Sequence, residues 1–213
     1  MSDLRYAVFD FDMTLLDSIK PLMTSANLLA GEFKLPKVTY EDVYRAEISV
    51  PNCTFEKLWE GLWGRYDPAW YEAYADHLTG PEYESMELFE GAVETLEALR
   101  DKGVGLGLAS NRDKPKKILE KLGVGGYFQA VVGQFDVQRV KPAPDMILKA
   151  LELMSAPPER SIYVCDAKGD LLAAKAAKVK SFAMTTGGHS REELSSLGAD
   201  YTGEKLAEVL SVF

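Results

Sequence analysis

Five short apolar stretches punctuate the chain: YAVFD (6–10), VGLGLAS (104–110), YFQAVVG (127–133), SIYVCD (161–166) and KSFAM (180–184). Each is continuous rather than alternating, so each reads as a strand covered on both faces. Strands of that kind belong to parallel sheets, where every connection crosses back over a face and covers it with a helix. The intervening segments supply those helices. GAVETLEALRDKG (91–103) places Val93, Leu96 and Leu99 on one stripe with Gly103 as its stop, and DKPKKILEKLG (113–123) has Pro115 in its first turn and Gly123 at its end. Right-handed crossovers then predict an α/β fold with a doubly wound parallel sheet.

One stretch breaks the rhythm. From Ser18 to Met86 there is no strand signal, yet FEKLWEGLWGRY (55–66) and PAWYEAYADHL (68–78) are patterned as helices. This predicts a helical domain at 18–86 inserted into a core made of 1–17 and 87–213. Its hinges are expected at SIKP near residue 18 and at TGPEYESMELFEG (79–91), where Gly80, Pro81 and Gly91 interrupt the chain. Trp59, Trp63, Trp70, Tyr71 and Tyr74 recur at helical spacing and are expected to form the insertion's core rather than a pocket, while Arg65 and His77 carry no assignment.

The charge balance narrows the partners. With 33 acidic against 24 basic residues, the net charge of -9 repels nucleic acid and anionic membranes. A small anion remains acceptable, because lysine, backbone N–H groups and a bound cation can reverse the field inside one cleft. Cys53 and Cys165 are the two cysteines, far apart and without neighbouring ligands, so reduced thiols are expected rather than a disulfide or a zinc site. The N-terminus shows no signal-peptide pattern and no stretch matches a membrane span, which points to a cytoplasmic protein.

In open α/β sheets the ligand crevice lies at the carboxyl ends of the strands. Asp10 and Asp12 follow the first run, Ser110 and Asn111 the second, Lys141 in KPAPD the third after a further turn, and Asp166 the fourth, with Asp170 one helical turn later. A single D-x-D is weak, since acids at strand ends commonly cap helices. The whole set is specific, and with it the sequence resembles the haloacid dehalogenase superfamily of phosphotransferases. DFDMTLLDS matches the first motif, Ser110 in LASN the second, Lys141 in VKPAPD the third and YVCDAKGD the fourth. The resemblance runs from about residue 4 to 184, places the insertion where the family carries its type 1 cap, and is broadest to phosphoglycolate phosphatase-like members.

The resemblance implies a Mg²⁺-dependent phosphatase acting on a small phosphorylated metabolite, as a monomer or homodimer. In it Asp10 attacks phosphorus and Asp12 serves as general acid and base. Ser110 and Lys141 hold the transferring phosphoryl group, with Asn111 and Thr14 as further substrate contacts. The metal is expected on Asp10, Asp166, Asp170 and the Asp12 backbone carbonyl. Within the same architecture stands a sugar phosphate mutase related to β-phosphoglucomutase, and from another class a non-catalytic phosphate-binding protein. Phe9 and Phe11 alternate with the aspartates and are expected in the core. Four positions depart from the family: Cys165 and Ala167 flank Asp166 where Gly-Asp-Ser or Gly-Asp-Thr is usual, Met13 replaces a common Gly, and Lys178 stands where Gly is frequent, at no cost the sequence identifies. The alternating Gly103, Gly105 and Gly107 lack the strand-turn-helix context of a dinucleotide site and are expected to serve close packing. His189 is expected in a loop before a helix capped by Ser190.

Overall fold

The first apolar run becomes β1 (Tyr6–Phe9), which occupies the middle of a six-stranded sheet in the computed structural model; residues 3–48, 55–78 and 80–213 are described. A two-residue strand, β2 (Leu16–Asp17), leads into helices α1 (Ile19–Phe33), α2 (Tyr40–Ile48), α3 (Phe55–Trp63), α4 (Pro68–Leu78) and α5 (Pro81–Glu84). The chain returns through β3 (Glu87–Leu88), which pairs with β2. There follow α6 (Ala92–Asp101), β4 (Gly105–Ala109), α7 (Pro115–Lys121), β5 (Ala130–Val132), α8 (Asp145–Met154) and β6 (Ser161–Cys165). Last come α9 (Lys168–Ala177), β7 (Lys180–Met184), α10 (Arg191–Ser196) and β8 (Tyr201–Gly203). Two compact units result: Met1–Leu16 with Leu88–Phe213, and Asp17–Glu87.

In the first unit the strand order is β5-β4-β1-β6-β7-β8, parallel throughout, the doubly wound arrangement. From β1 the chain winds outward through β4 and β5, then returns to the other side of β1 for β6, β7 and β8. That reversal sits at β1, and the carboxyl ends of β1, β4 and β6 therefore bound the crevice. Register aligns them: Phe9 pairs with both Leu108 and Val164, so Asp10, Ser110 and Asp166 leave the sheet at nearly one level.

Packing explains the apolar runs. Val8, Tyr163 and Cys165 from the sheet join Met146, Ile147, Ala150 and Leu151 of α8 and Leu171, Ala173 and Ala174 of α9 in one buried cluster. Each large aliphatic side chain buried this way contributes about 1.5–3 kcal/mol. Phe9 and Phe11 are fully buried, and Phe9 meets Phe128 edge-on with ring centroids 6.5 Å apart. The glycines of β4 serve close packing: a Cβ on Gly107 would stand 2.6 Å from Met154 Sδ, and one on Gly105 2.7 Å from the Tyr6 ring.

Several expectations need correction. β8 has no continuous apolar run and was not expected; it adds a sixth strand at the sheet edge. The run at 127–133 contributes a strand over Ala130–Val132 alone, because Gly125–Tyr127 close a 3₁₀ turn before it. Lys178 is not free of cost. It ends α9 in the left-handed region at φ 57°, and Met13 is left-handed at φ 54°. Both stand where the family's glycine would adopt that conformation without a Cβ clash. Ser190 does cap α10, in a reciprocal box with Glu193.

The second unit is helical. Trp59, Trp70 and Tyr74 are fully buried in it, with Trp59 meeting Tyr74 edge-on at 5.7 Å and Trp63 meeting Trp70 at 5.3 Å; Tyr71 is half-exposed. The Arg65 guanidinium lies 5.4 Å over the Trp70 ring. A buried carboxylate, Glu82, accepts hydrogen bonds from Ser25 at 2.9 Å and Tyr74 at 2.6 Å. Cys53, the Thr79 end of the second hinge and the His77 side chain lie outside the described residues.

Candidate active site

β1 stops at Phe9 and the next residue, Asp10, keeps the strand's direction by donating its N–H to the Val164 carbonyl at 2.8 Å. Its side chain thus emerges beside β6, whose own successor is Asp166. α9 starts two residues after Asp166, and its third residue, Asp170, turns inward from the first helical turn. Asp10, Asp166 and Asp170 are all buried, and their carboxylate oxygens come within 4.8 Å of one another. Lys141 reaches into the same space: its Nζ donates to Asp10 Oδ1 and lies 2.7 Å from Asp170 Oδ1. The Tyr163 hydroxyl, rising from β6, accepts from Lys141 at 3.0 Å and stands 3.3 Å from Asp170 Oδ1.

Three carboxylates against one ammonium leave a net charge of -2 when all are ionised (three negative, one positive). The protonation equilibria record that excess. Burial, with Asp170 and Asp12 nearby, pushes Asp10 up to about 7 against the pull of Lys141. Asp166 is driven well above the usual carboxylate range by burial first and by Asp10 and Asp170 next. Burial opposes the Lys141 charge, but Asp10 and Asp170 outweigh it and hold the ammonium well above its ordinary value. Cys165 stays a neutral thiol: burial, then Asp170 and Asp166, raise it far above its usual range.

Oxygen-only donors, buried, clustered and short of positive charge, fit a hard divalent cation such as Mg²⁺. The surroundings hold the donors in place. Thr14 is buried and spends its hydroxyl on Asp166 Oδ1 at 3.0 Å. Gly187, in the turn after β7, sits so close that a Cβ there would stand 2.2 Å from Asp166 Oδ2. The neighbouring Thr186 donates to the Met13 carbonyl and ties that turn to the loop after β1.

Ser110 is fully buried at the end of β4, its N–H on the Val132 carbonyl at 3.0 Å and its hydroxyl accepting from the Arg112 N–H at 3.2 Å. Asn111 is exposed. Asp12 stands apart from the buried cluster, its carboxylate gripped by the Arg112 guanidinium. Sequence reasoning did not single out Arg112, Tyr163, Thr186 or Gly187. Arg112 lies two residues beyond Ser110, at a strand end where a charged residue could have been noted; the others act through contacts between distant segments.

A doubly wound parallel sheet gathering acids and a lysine at the carboxyl edge of its central strands defines an α/β enzyme of the Rossmann-like kind. The sequence profile of the haloacid dehalogenase-like hydrolases matches residues 7–184, and the chain belongs to that family. It is 29% identical to the phosphoglycolate phosphatase of Shigella dysenteriae, over 98% of this chain and 92% of that one. It is 30% identical to phosphoglycolate phosphatase 1 of Pseudomonas aeruginosa, over 92% of this chain and 76% of that one. A solved haloacid dehalogenase superfamily hydrolase of subfamily IA from Geobacter sulfurreducens has the same fold, with a TM-score of 0.79 at 23% identity, covering 99% of this chain and 97% of that one. Among the described residues no helix is long and apolar enough to cross a membrane.

Proposed function

We propose that the protein is a Mg²⁺-dependent phosphatase that hydrolyses a small soluble phosphomonoester in the cytoplasm. The observation that carries this reading is the cluster of Asp10, Asp166 and Asp170 around a single Lys141. Those three carboxylates and the Asp12 backbone carbonyl would hold Mg²⁺, which when bound would supply the positive charge that a phosphoryl dianion requires before an anionic nucleophile can approach it. A carboxylate oxygen of Asp10 forms a bond to phosphorus as the bond from phosphorus to the leaving alcohol breaks. Asp12 gives that alcohol oxygen its proton. Water then attacks phosphorus, passes its proton to Asp12 and releases inorganic phosphate, restoring Asp10. Lys141 neutralises the phosphoryl oxygens, Ser110 donates a hydrogen bond to one of them, and Asn111, exposed at the strand end, is available to the ester. Thr14 acts on the site through Asp166. The names of the two phosphoglycolate phosphatase relatives support a short organic phosphate as substrate.

The test is phosphate release from p-nitrophenyl phosphate with and without Mg²⁺. Asp10→Asn keeps the fold, because the amide is isosteric, and is expected to lower turnover by about a thousandfold or more. Undiminished Mg²⁺-dependent turnover in that variant, or isomer formation as the dominant reaction with hexose phosphates, would sink the proposal.

A further inference from the structure

The two elements that flank the acidic cluster, α9 and β7, have their far ends in surroundings of opposite sign. α9 carries Asp170 in its first turn, and β7 runs up to the Thr185–Gly187 turn that faces Asp166, so Ala177 and Lys180 lie at the amino edge of the sheet. The length of α9 puts about 15 Å between the two edges. At the amino edge a cavity of about 350 Å³ opens between α9, β7 and the turn at Gly198–Asp200, and Lys175, Lys178 and Lys180, all exposed, stand on its wall.

In a chain where acids outnumber bases 33 to 24, lysines find acidic partners readily: Lys20 meets Glu87 at 2.7 Å and Lys149 meets Glu152 at 2.9 Å. Among the described residues, no ion pair or hydrogen bond engages the ammonium groups of Lys175, Lys178 and Lys180. The acid in the same wall, Asp200, is committed elsewhere, its Oδ2 accepting from the Ser181 N–H at 2.9 Å and from the Ser181 hydroxyl at 3.1 Å. The last turn of α9 closes without the ammonium groups, because the Ala174 and Lys175 carbonyls accept from the Val179 and Lys178 N–H groups. A helix C-terminus favours a nearby cation, which accounts for Lys175. It does not account for Lys180, in the following strand, nor for Lys178, which holds at φ 57° a left-handed backbone that glycine would adopt freely.

We propose that this cavity is an anion site apart from the catalytic cleft, and that it takes a phosphate dianion, free or carried on a small metabolite. Three ammonium groups against the Asp200 carboxylate leave a charge of +2, which a dianion neutralises. The buried Leu171 and Val179 give the cavity an apolar floor for the body of an organic phosphate. Extended polyanions do not fit the same reading, since the rest of the chain, with its net charge of -9, repels them. The site needs neither a metal nor the phosphatase reading, and binding there makes and breaks no covalent bond.

The experiment is calorimetric titration of the full chain in EDTA, where the acidic cluster repels anions, with inorganic phosphate, with glycerol 3-phosphate and with sodium chloride at equal ionic strength. Saturable binding of phosphate and none of chloride is expected. Lys175→Gln with Lys180→Gln is expected to weaken phosphate binding by about fivefold or more. Lys116→Gln with Lys117→Gln, which removes the same charge from α7, is expected to leave it within about twofold. Lys178→Gly, which relieves the backbone while deleting an ammonium group, is expected to weaken phosphate binding by about twofold or more and carries the test alone if the first variant does not fold. Tighter binding of the ester than of the free ion assigns the metabolite, and equal or weaker binding assigns free phosphate; both uphold the site. Phosphate heats no different from those of chloride, affinity unchanged by the loss of Lys175 and Lys180, or an equal loss in the α7 variant overturns it.

Discussion

At the scale of single residues, the site separates side chains whose role is written in their local context from those defined by distant partners. Asp10, Ser110, Asp166 and Asp170 could be singled out because the end of a buried parallel strand is legible as the last residue of an apolar run, and such ends converge on one crevice. Lys141 falls at the same crevice only after a further turn beyond the third run, since the segment between β5 and α8 carries no periodic signal, and the family resemblance gives it its role. Arg112, Tyr163 and Thr186 owe their positions to contacts bridging 100, 22 and 173 residues, and no periodicity encodes those. Backbone conformation is similarly silent: nothing in the composition around Lys178 announces a left-handed residue. That conformation costs a residue with a Cβ about 1 kcal/mol relative to glycine. Lys178→Gly is accordingly expected to raise stability by about 0.5–1 kcal/mol in urea unfolding, and a destabilised variant would mean that the lysine side chain provides an interaction outweighing the strain.

At the scale of elements, the strands and helices follow from pattern, and the turns between them finish the site. β1, β4, β6 and β7 are continuous apolar runs and were expected within a residue or so. β8 escaped notice because it is three residues long and exposed at Tyr201, an edge strand with one neighbour. The turn after β7, Thr185–Gly187, carries no motif in the sequence, yet its Gly187 faces Asp166 with no room for a methyl group. Gly187→Ala therefore moves either the turn or the carboxylate. Displaced second partners of metal ligands typically weaken binding by about 10–100-fold, and calorimetric titration with Mg²⁺ is expected to show a loss of that size. Unchanged affinity would mean that Asp166 does not hold the metal. Ala167 makes a related point: it occupies the start of α9 in an extended conformation and offers no side-chain cap, where the family's Ser or Thr hydroxyl would provide one.

At the scale of the whole molecule, folding concentrates uncompensated negative charge in the core unit of a chain that already carries a net charge of -9. Asp10 has its pKa raised from 3.8 to about 7, so between those values the folded protein keeps a proton that the unfolded chain has lost. A proton bound more tightly by the folded state favours it at low pH, and this contribution disappears as pH rises through about 7. Asp166 is shifted in the same direction. The protein stripped with EDTA is thus expected to lose stability between about pH 4 and 7 from this source. A cation that binds the ionised cluster reverses the loss, so the rise in Tm on adding Mg²⁺ is expected to be larger at pH 8 than at pH 5. Scanning calorimetry at the two pH values checks it, and a larger gain at pH 5 would contradict the charge balance described for the cluster.

The pairing of β2 with β3 bears on more than local geometry. Because the chain departs at Leu16–Asp17 and comes back at Glu87–Leu88 through strands bonded to each other, the whole excursion is stapled at its root. Insertions and deletions beyond that staple leave the spacing between β1 and β4 untouched. Lineages are thereby able to remodel Asp17–Glu87 wholesale while the carboxylates at the sheet edge stay in register, so the two units can diverge at different speeds.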